Sequence, residues 1–78
     1  MLSYNVSLDK SVAQTIRELR QNKGISQEKL AEAINSHQVY ISEIENGKKL
    51  PSLIILFNIA KFFGLSLTDF IKLVESKM

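Results

Sequence analysis

Residues 26–49, SQEKLAEAINSHQVYISEIENGKK, decide how this chain is built. The stretch holds two short apolar stripes with an interruption between them. Leu30, Ala31 and Ile34 recur at helical spacing behind Ser26. Ser26 is a good N-cap, because its hydroxyl accepts from an otherwise unpaired amide of the first turn. Asn35, Ser36 and His37 then break the pattern. Asn35 tolerates left-handed backbone, so it can turn the chain after a helix. A second helix is predicted from about Gln38 to Asn46, stopping at Gly47. A connection this short holds two helices at a steep angle, the geometry of a helix-turn-helix.

Working outward, Val12, Ile16 and Leu19 recur at i, i+4 and i+7 and predict an amphipathic helix ending at Gly24. Downstream, Pro51 and Ser52 start a fourth helix, Leu53 to Phe63, closed by Gly64. Ser66 caps a fifth, with Asp69 three residues on as in a capping box. The expectation is one all-α domain over residues 1–78, with the helical bundle at 10–78. The start, MLSYNVSLD, alternates Leu2, Tyr4, Val6 and Leu8 with polar residues. That period of two predicts an extended arm over residues 1–9. Two readings stand for it: an arm laying apolar side chains on the bundle, or a strand pairing with its copy in a second subunit, because an unpaired edge seeks a partner.

Composition bounds the function classes. A chain of 78 residues hides only about 60% of its unfolded surface, so its core is thin and a partner subunit would help it. A hydrophobic share of 45% is too high for disorder. With no cysteine there is no disulfide framework and no thiolate metal site, which suits a reducing compartment. The start lacks a basic region followed by an apolar run, so no secretory signal is expected. The longest apolar run, LIILF at 53–57, is too short to span a bilayer. Net charge is only +2, so charge alone does not announce a nucleic-acid binder and pattern must carry the case. One histidine, no glycine-rich phosphate loop and no paired-acid constellation point away from an enzyme, a metal site and a cofactor.

Stepping the third helix at ~100° per residue gathers Tyr40, Ile41 and Ile44 on one side. Gln38, Val39, Ser42, Glu43 and Asn46 gather on the other. This outer face is polar and short-armed. It fits a plain solvated helix or a DNA-reading one. Gln hydrogen-bonds adenine bidentately, Ser serves either base type, and a small apolar group touches the thymine methyl. Glu45 falls at the border of the core face. Arg20 falls on the apolar stripe of the first helix, beside Ile16 and Leu19. A buried guanidinium needs a carboxylate, so Arg20 and Glu45 are expected to pair and lock the two helices. Glu43 stays outside, to accept from a cytosine amine or to repel wrong sequences. Positive charge comes from the rim: Lys29, Lys48, Lys49 and Lys23. Helix N-termini at Gln27 and Gln38 add N–H donors for phosphate.

The blocks TIRELRQNKGISQEKLAEAI (15–34), YISEIENGKKLPSL (40–53) and IAKFFGLSLTDFI (59–71) closely resemble the Xre/Cro–cI-type helix-turn-helix family of bacterial and phage regulators. The likeness covers about Val12 to Ile71. It implies a compact five-helix bundle of the lambda-repressor-like DNA-binding type, a third helix in the major groove, and a homodimer on a two-fold symmetric operator. It also implies a cytoplasmic protein of bacterial or phage origin. By position, Gln27 matches a residue that touches phosphate and braces the reading helix. Gln38, Val39 and Glu43 match base-reading positions, with Ser42 a weaker match. Asn46 and Lys48 match backbone contacts, to which the rim lysines Lys29 and Lys49 are added. Arg20 and Glu45 match a recurring buried ion pair. The chain departs from the pattern at Asn35, where glycine is usual, and at Ser36, where a small apolar residue is. His37 replaces the usual Ser or Thr before the reading helix, which weakens that N-cap.

Hydrophobic residues are in surplus at the C-terminal end. Leu53, Leu56, Ile59, Ala60 and Phe63 suffice for the inward face of the fourth helix. That leaves Ile54, Ile55, Phe57 and Phe62, to which the fifth adds Phe70, Ile71 and Val74. One reading buries them under the arm and the fifth helix. The other makes Ile54, Ile55, Phe62, Phe70 and Val74 a homodimer interface. The brevity is similar to phage Cro-type repressors and to restriction–modification controllers, which respond to their own concentration, so no small-molecule ligand is expected. A protein-interaction module, such as an antitoxin or adaptor on the same fold, is the alternative.

Overall fold

Helix follows helix throughout the described residues: α1 (Leu2–Lys23), α2 (Gln27–Ala33), α3 (Gln38–Glu45), α4 (Leu53–Phe62) and α5 (Leu67–Ser76). The computed structural model describes the backbone of residues 2–78 and side chains from Leu8 onward. Serines start three of the helices. Ser26 Oγ accepts from the Lys29 amide at 3.0 Å, Ser52 Oγ from Ile55 at 3.2 Å, and Ser66 Oγ from Asp69 at 3.0 Å. Each pairs one amide that the helix itself cannot satisfy.

The first four helices end alike. After α3, the Lys48 amide donates to the Glu43 carbonyl and the Gly47 amide to Ile44. This paired closure needs left-handed backbone at Gly47, which has φ 73°. The same pair of bonds closes α1, α2 and α4. In α2 the left-handed residue is Asn35, at φ 56°, the one non-glycine residue with positive φ among those described. Asn holds this conformation because its short polar side chain suits it better than a branched one would.

The first helix corrects the expectation of an extended arm. Its backbone is helical from Leu2, so residues 2–9 belong to α1, and the cross-subunit strand falls with the arm. Met1 lies outside the described residues. The cause is legible: no Gly or Pro interrupts residues 2–23. Leu8, Val12 and Ile16 also stand four apart and continue the helical stripe. An alternation over only four positions fits spacing of four as well as spacing of two.

Every helix contributes to one core. Val12 and Ile16 of α1, Leu30 and Ala31 of α2, Ile41 and Ile44 of α3, Leu56, Ile59 and Ala60 of α4, and Phe70 and Val74 of α5 are buried together. α2 packs chiefly on α3, while α1 touches both α3 and α5. Phe70 and Val74 are wholly buried inside this chain, so they cannot form the dimer surface expected of them. They fill the core that helix four alone leaves short. Leu53, expected inward, is 67% exposed, because it sits at the edge of the arc that Leu56, Ile59 and Ala60 bury. Among the described residues, no single helix is long and apolar enough to cross a membrane.

Candidate nucleic-acid interface

The geometry of α3 starts from one buried acid. Glu45 has a side-chain exposure of 1%, and such a carboxylate must be fully partnered. Arg20 of α1 meets it with two donors: Nε to Oε2 at 2.7 Å and Nη2 to Oε1 at 3.0 Å. The remaining Arg20 nitrogen, Nη1, donates to the Ile25 carbonyl at 2.9 Å. Hydrogen bonding to Glu45 raises the Arg20 pKa above its ordinary value, against the opposing effect of burial. Arg17, one turn earlier, donates to the Glu45 backbone carbonyl and stands 3.8 Å from Oε1. The C-terminal end of α3 is thus tied to α1 by two guanidinium groups.

A second chain of bonds runs outward from the same carboxylate. Gln27, the first residue of α2, donates Nε2 to Glu45 Oε1 at 3.1 Å. Gln38, the first residue of α3, donates Nε2 to Gln27 Oε1 at 2.9 Å. The direction of this chain has a physical cause. An ionised carboxylate only accepts, so Gln27 must turn its amine inward and its oxygen outward. Gln38 must then donate to that oxygen. Its own Oε1 and its second N–H are left for whatever lies outside. One acceptor beside one donor is the set that meets the adenine edge.

The outer face of α3 is open. Gln38 and Asn46 are exposed, Val39 is 67% exposed, and Ser42 and Glu43 are half-buried. Ile41 and Ile44 are buried beneath, and Tyr40 is half-buried at the flank. Asn46 Nδ2 lies 3.4 Å from Ser42 Oγ, a long contact that leaves both polar groups available. Lys29 and Lys48 are exposed on the rim. Lys49 instead turns back, with Nζ 3.6 Å from Glu43 Oε1 and 6.0 Å from the centre of the Tyr40 ring. Lys23 lies away from this face, 5.5 Å from the centre of the Phe62 ring. His37 is the N-cap of α3 and makes no side-chain capping bond.

Of the expected interface residues, Ile54 is 73% exposed, while Ile55 and Phe62 are half-buried against the core. The open apolar surface is a stripe of Leu50, Leu53, Ile54 and Phe57. Sequence reasoning missed Leu50, which lies before the helix, and put Leu53 inside, although Leu53, Ile54 and Phe57 stand at i, i+1 and i+4 on one side of α4. It also missed Arg17, whose signal was its place three residues before Arg20 on one helix.

Comparison with known proteins places this geometry. The family model described as helix-turn-helix matches residues 16–70, more than half of the chain. The HTH-type transcriptional regulator YgzD of Bacillus subtilis is 37% identical over 60 residues, which cover 77% of this chain and 91% of that one. The ImmF control region 10 kDa protein of Bacillus phage phi105 is 35% identical over 66 residues, 85% of this chain and 72% of that one. Among solved structures, the restriction–modification controller protein C.Esp1396I, a tetramer in complex with its natural 35 base-pair operator, superposes with a TM-score of 0.80. It shares 30% identity over 90% of this chain and 92% of its own. The chain therefore belongs to the helix-turn-helix family of Xre/Cro–cI-type regulators.

Proposed function

We propose that the chain is a sequence-specific DNA-binding transcriptional regulator that works as a homodimer on a two-fold symmetric operator. One observation carries the reading. The bonds Gln38→Gln27→Glu45, anchored by Arg20, hold Gln38 in one orientation on an exposed helix face. A plain solvated helix has no need of a surface amide fixed from a buried ion pair. In this reading α3 enters the major groove, with Gln38, Val39, Ser42 and Glu43 toward base edges. Gln27, Lys29, Asn46 and Lys48 lie toward the phosphates. A two-fold pair would set two copies of α3 about 34 Å apart, one turn of DNA. Such a regulator acts where the DNA is, in the cytoplasm of a bacterial or phage-infected cell. It resembles a phage-type repressor or a restriction–modification controller, and it needs no catalytic step.

The apolar stripe of Leu50, Leu53, Ile54 and Phe57 favours one other reading, a module that holds a partner protein. Selection of bound sites from a random duplex pool, followed by shift assays across a salt series, separates the two. Enrichment of a two-fold symmetric site, bound two chains per duplex with a steep salt dependence, supports the regulator. Absence of binding even at low salt supports the partner module.

A further inference from the structure

Lys49 stands where a phosphate anchor is expected, yet the structure gives it two partners inside the chain. Its Nζ is 3.6 Å from Glu43 Oε1 and 6.0 Å from the centre of the Tyr40 ring. Both partners are on α3, Glu43 on its outer face and Tyr40 at the flank. The position of Lys49 follows from the backbone. The left-handed turn at Gly47 and the Lys48 amide bonded to the Glu43 carbonyl reverse the chain after α3. Two residues past that turn, Lys49 is delivered beside Glu43 and Tyr40.

Building on the regulator reading, we propose that Glu43 sequesters Lys49, so that this lysine adds nothing to the phosphate attraction and the pair lowers affinity for all DNA alike. Each cation that neutralises a phosphate releases counterions, and that release is independent of sequence. A lysine held beside a carboxylate and an aromatic face has its attraction for a nearby phosphate opposed by the adjacent anion. Glu43 gains from the same arrangement. With Lys49 on Oε1, its carboxylate no longer confronts the phosphates as a bare anion, and Oε2 remains free to accept from a base edge. Lys49 is 56% exposed in its side chain and Glu43 36%, so neither is walled in, and removing one frees the other. The acid on the reading face is thus a specificity-determining residue in a particular sense. It withholds one cation from the sequence-blind part of binding and leaves recognition to Gln38 and its neighbours.

The test uses the full chain, a random-sequence duplex and a salt series, with four proteins: wild type, Glu43→Gln, Lys49→Ala and the double variant. Lys49 is exposed and Glu43 half-buried outside the core, and circular dichroism checks that the helices persist. Glu43→Gln is expected to bind random DNA about five- to tenfold more tightly near 0.1 M salt, with a salt slope steeper by about 0.9. In the Lys49→Ala background the same change is expected to give neither gain. An equal gain in that background overturns the proposal, because Glu43 would then act by simple repulsion. A Glu43→Gln slope equal to wild type also overturns it, since Lys49 would already be spent on a phosphate. A wild-type chain that binds no DNA at low salt sinks the regulator reading itself, and shows this before any variant is compared.

Discussion

At the scale of single residues, Glu45 and Gln38 divide the labour between stability and recognition. Glu45 is buried and held by Arg20 and Gln27, so Glu45→Ala leaves a guanidinium and an amide without their acceptor. Breaking a buried pair from one side costs about 3–5 kcal/mol. Urea unfolding should therefore show the variant largely unfolded or close to it. Gln38 is exposed, and its loss removes no core contact. Gln38→Ala should keep the fold and lose about 1–3 kcal/mol of base discrimination, read as the ratio of operator to single-mismatch affinities. The Arg20–Glu45 pairing could be reasoned from helical angles, because a charge on an apolar stripe must find its opposite. The Lys49–Glu43 contact could not. It depends on a turn whose exit direction no periodicity encodes, and a lysine written beside a turn looks the same whether it points to solvent or folds back.

At the scale of elements, α3 is the one helix among α2 to α5 whose N-cap side chain bonds no amide. Ser26, Ser52 and Ser66 each bond an amide of the first turn, and His37 does not. His37→Ser should supply the missing acceptor and stabilise by about 1 kcal/mol. For a chain of this size that raises Tm by about 4–8 °C in a thermal melt. The tie between α5 and α1 carries a pH dependence. A hydrogen bond from Gln14, and then the bond to Lys77, hold the Glu18 pKa below the usual carboxylate range. Because the folded value is depressed, this contribution is present above the unfolded carboxylate value and disappears as pH falls through the folded one. Amide protection factors in the last turn of α5 should fall over that acid range, and Lys77→Ala should lessen the change. Caps and turns made α2 to α5 legible before any coordinates, since Ser, Gly and Asn each have a backbone reason to stand at a helix end. The start of α1 was not legible, because Leu2, Tyr4, Val6 and Leu8 satisfy two periods at once.

At the scale of the whole molecule, α4 faces two ways. Leu56, Ile59 and Ala60 look inward, while Leu53, Ile54 and Phe57 look out, with Leu50 exposed just before the helix. A hydrophobic helix shows from sequence that it has more apolar surface than one core needs. It does not show which residues the neighbouring helix will cover, and so Phe70 and Val74 were expected outside and lie inside. Ile54 is 73% exposed and touches no core need, so Ile54→Glu should leave the thermal melt of the isolated chain within about 0.5 kcal/mol of wild type. On the reading that this stripe joins the two chains of the proposed homodimer, sedimentation should show the variant shifted toward monomer, with weaker operator binding at the same chain concentration. A stripe that joined two copies of the chain would also shape how a cell hears this protein. If two chains must meet before the operator fills, occupancy at low abundance climbs with the square of the number of copies made. Doubling synthesis then quadruples the early response, and a gradual rise in expression is converted into something closer to a switch.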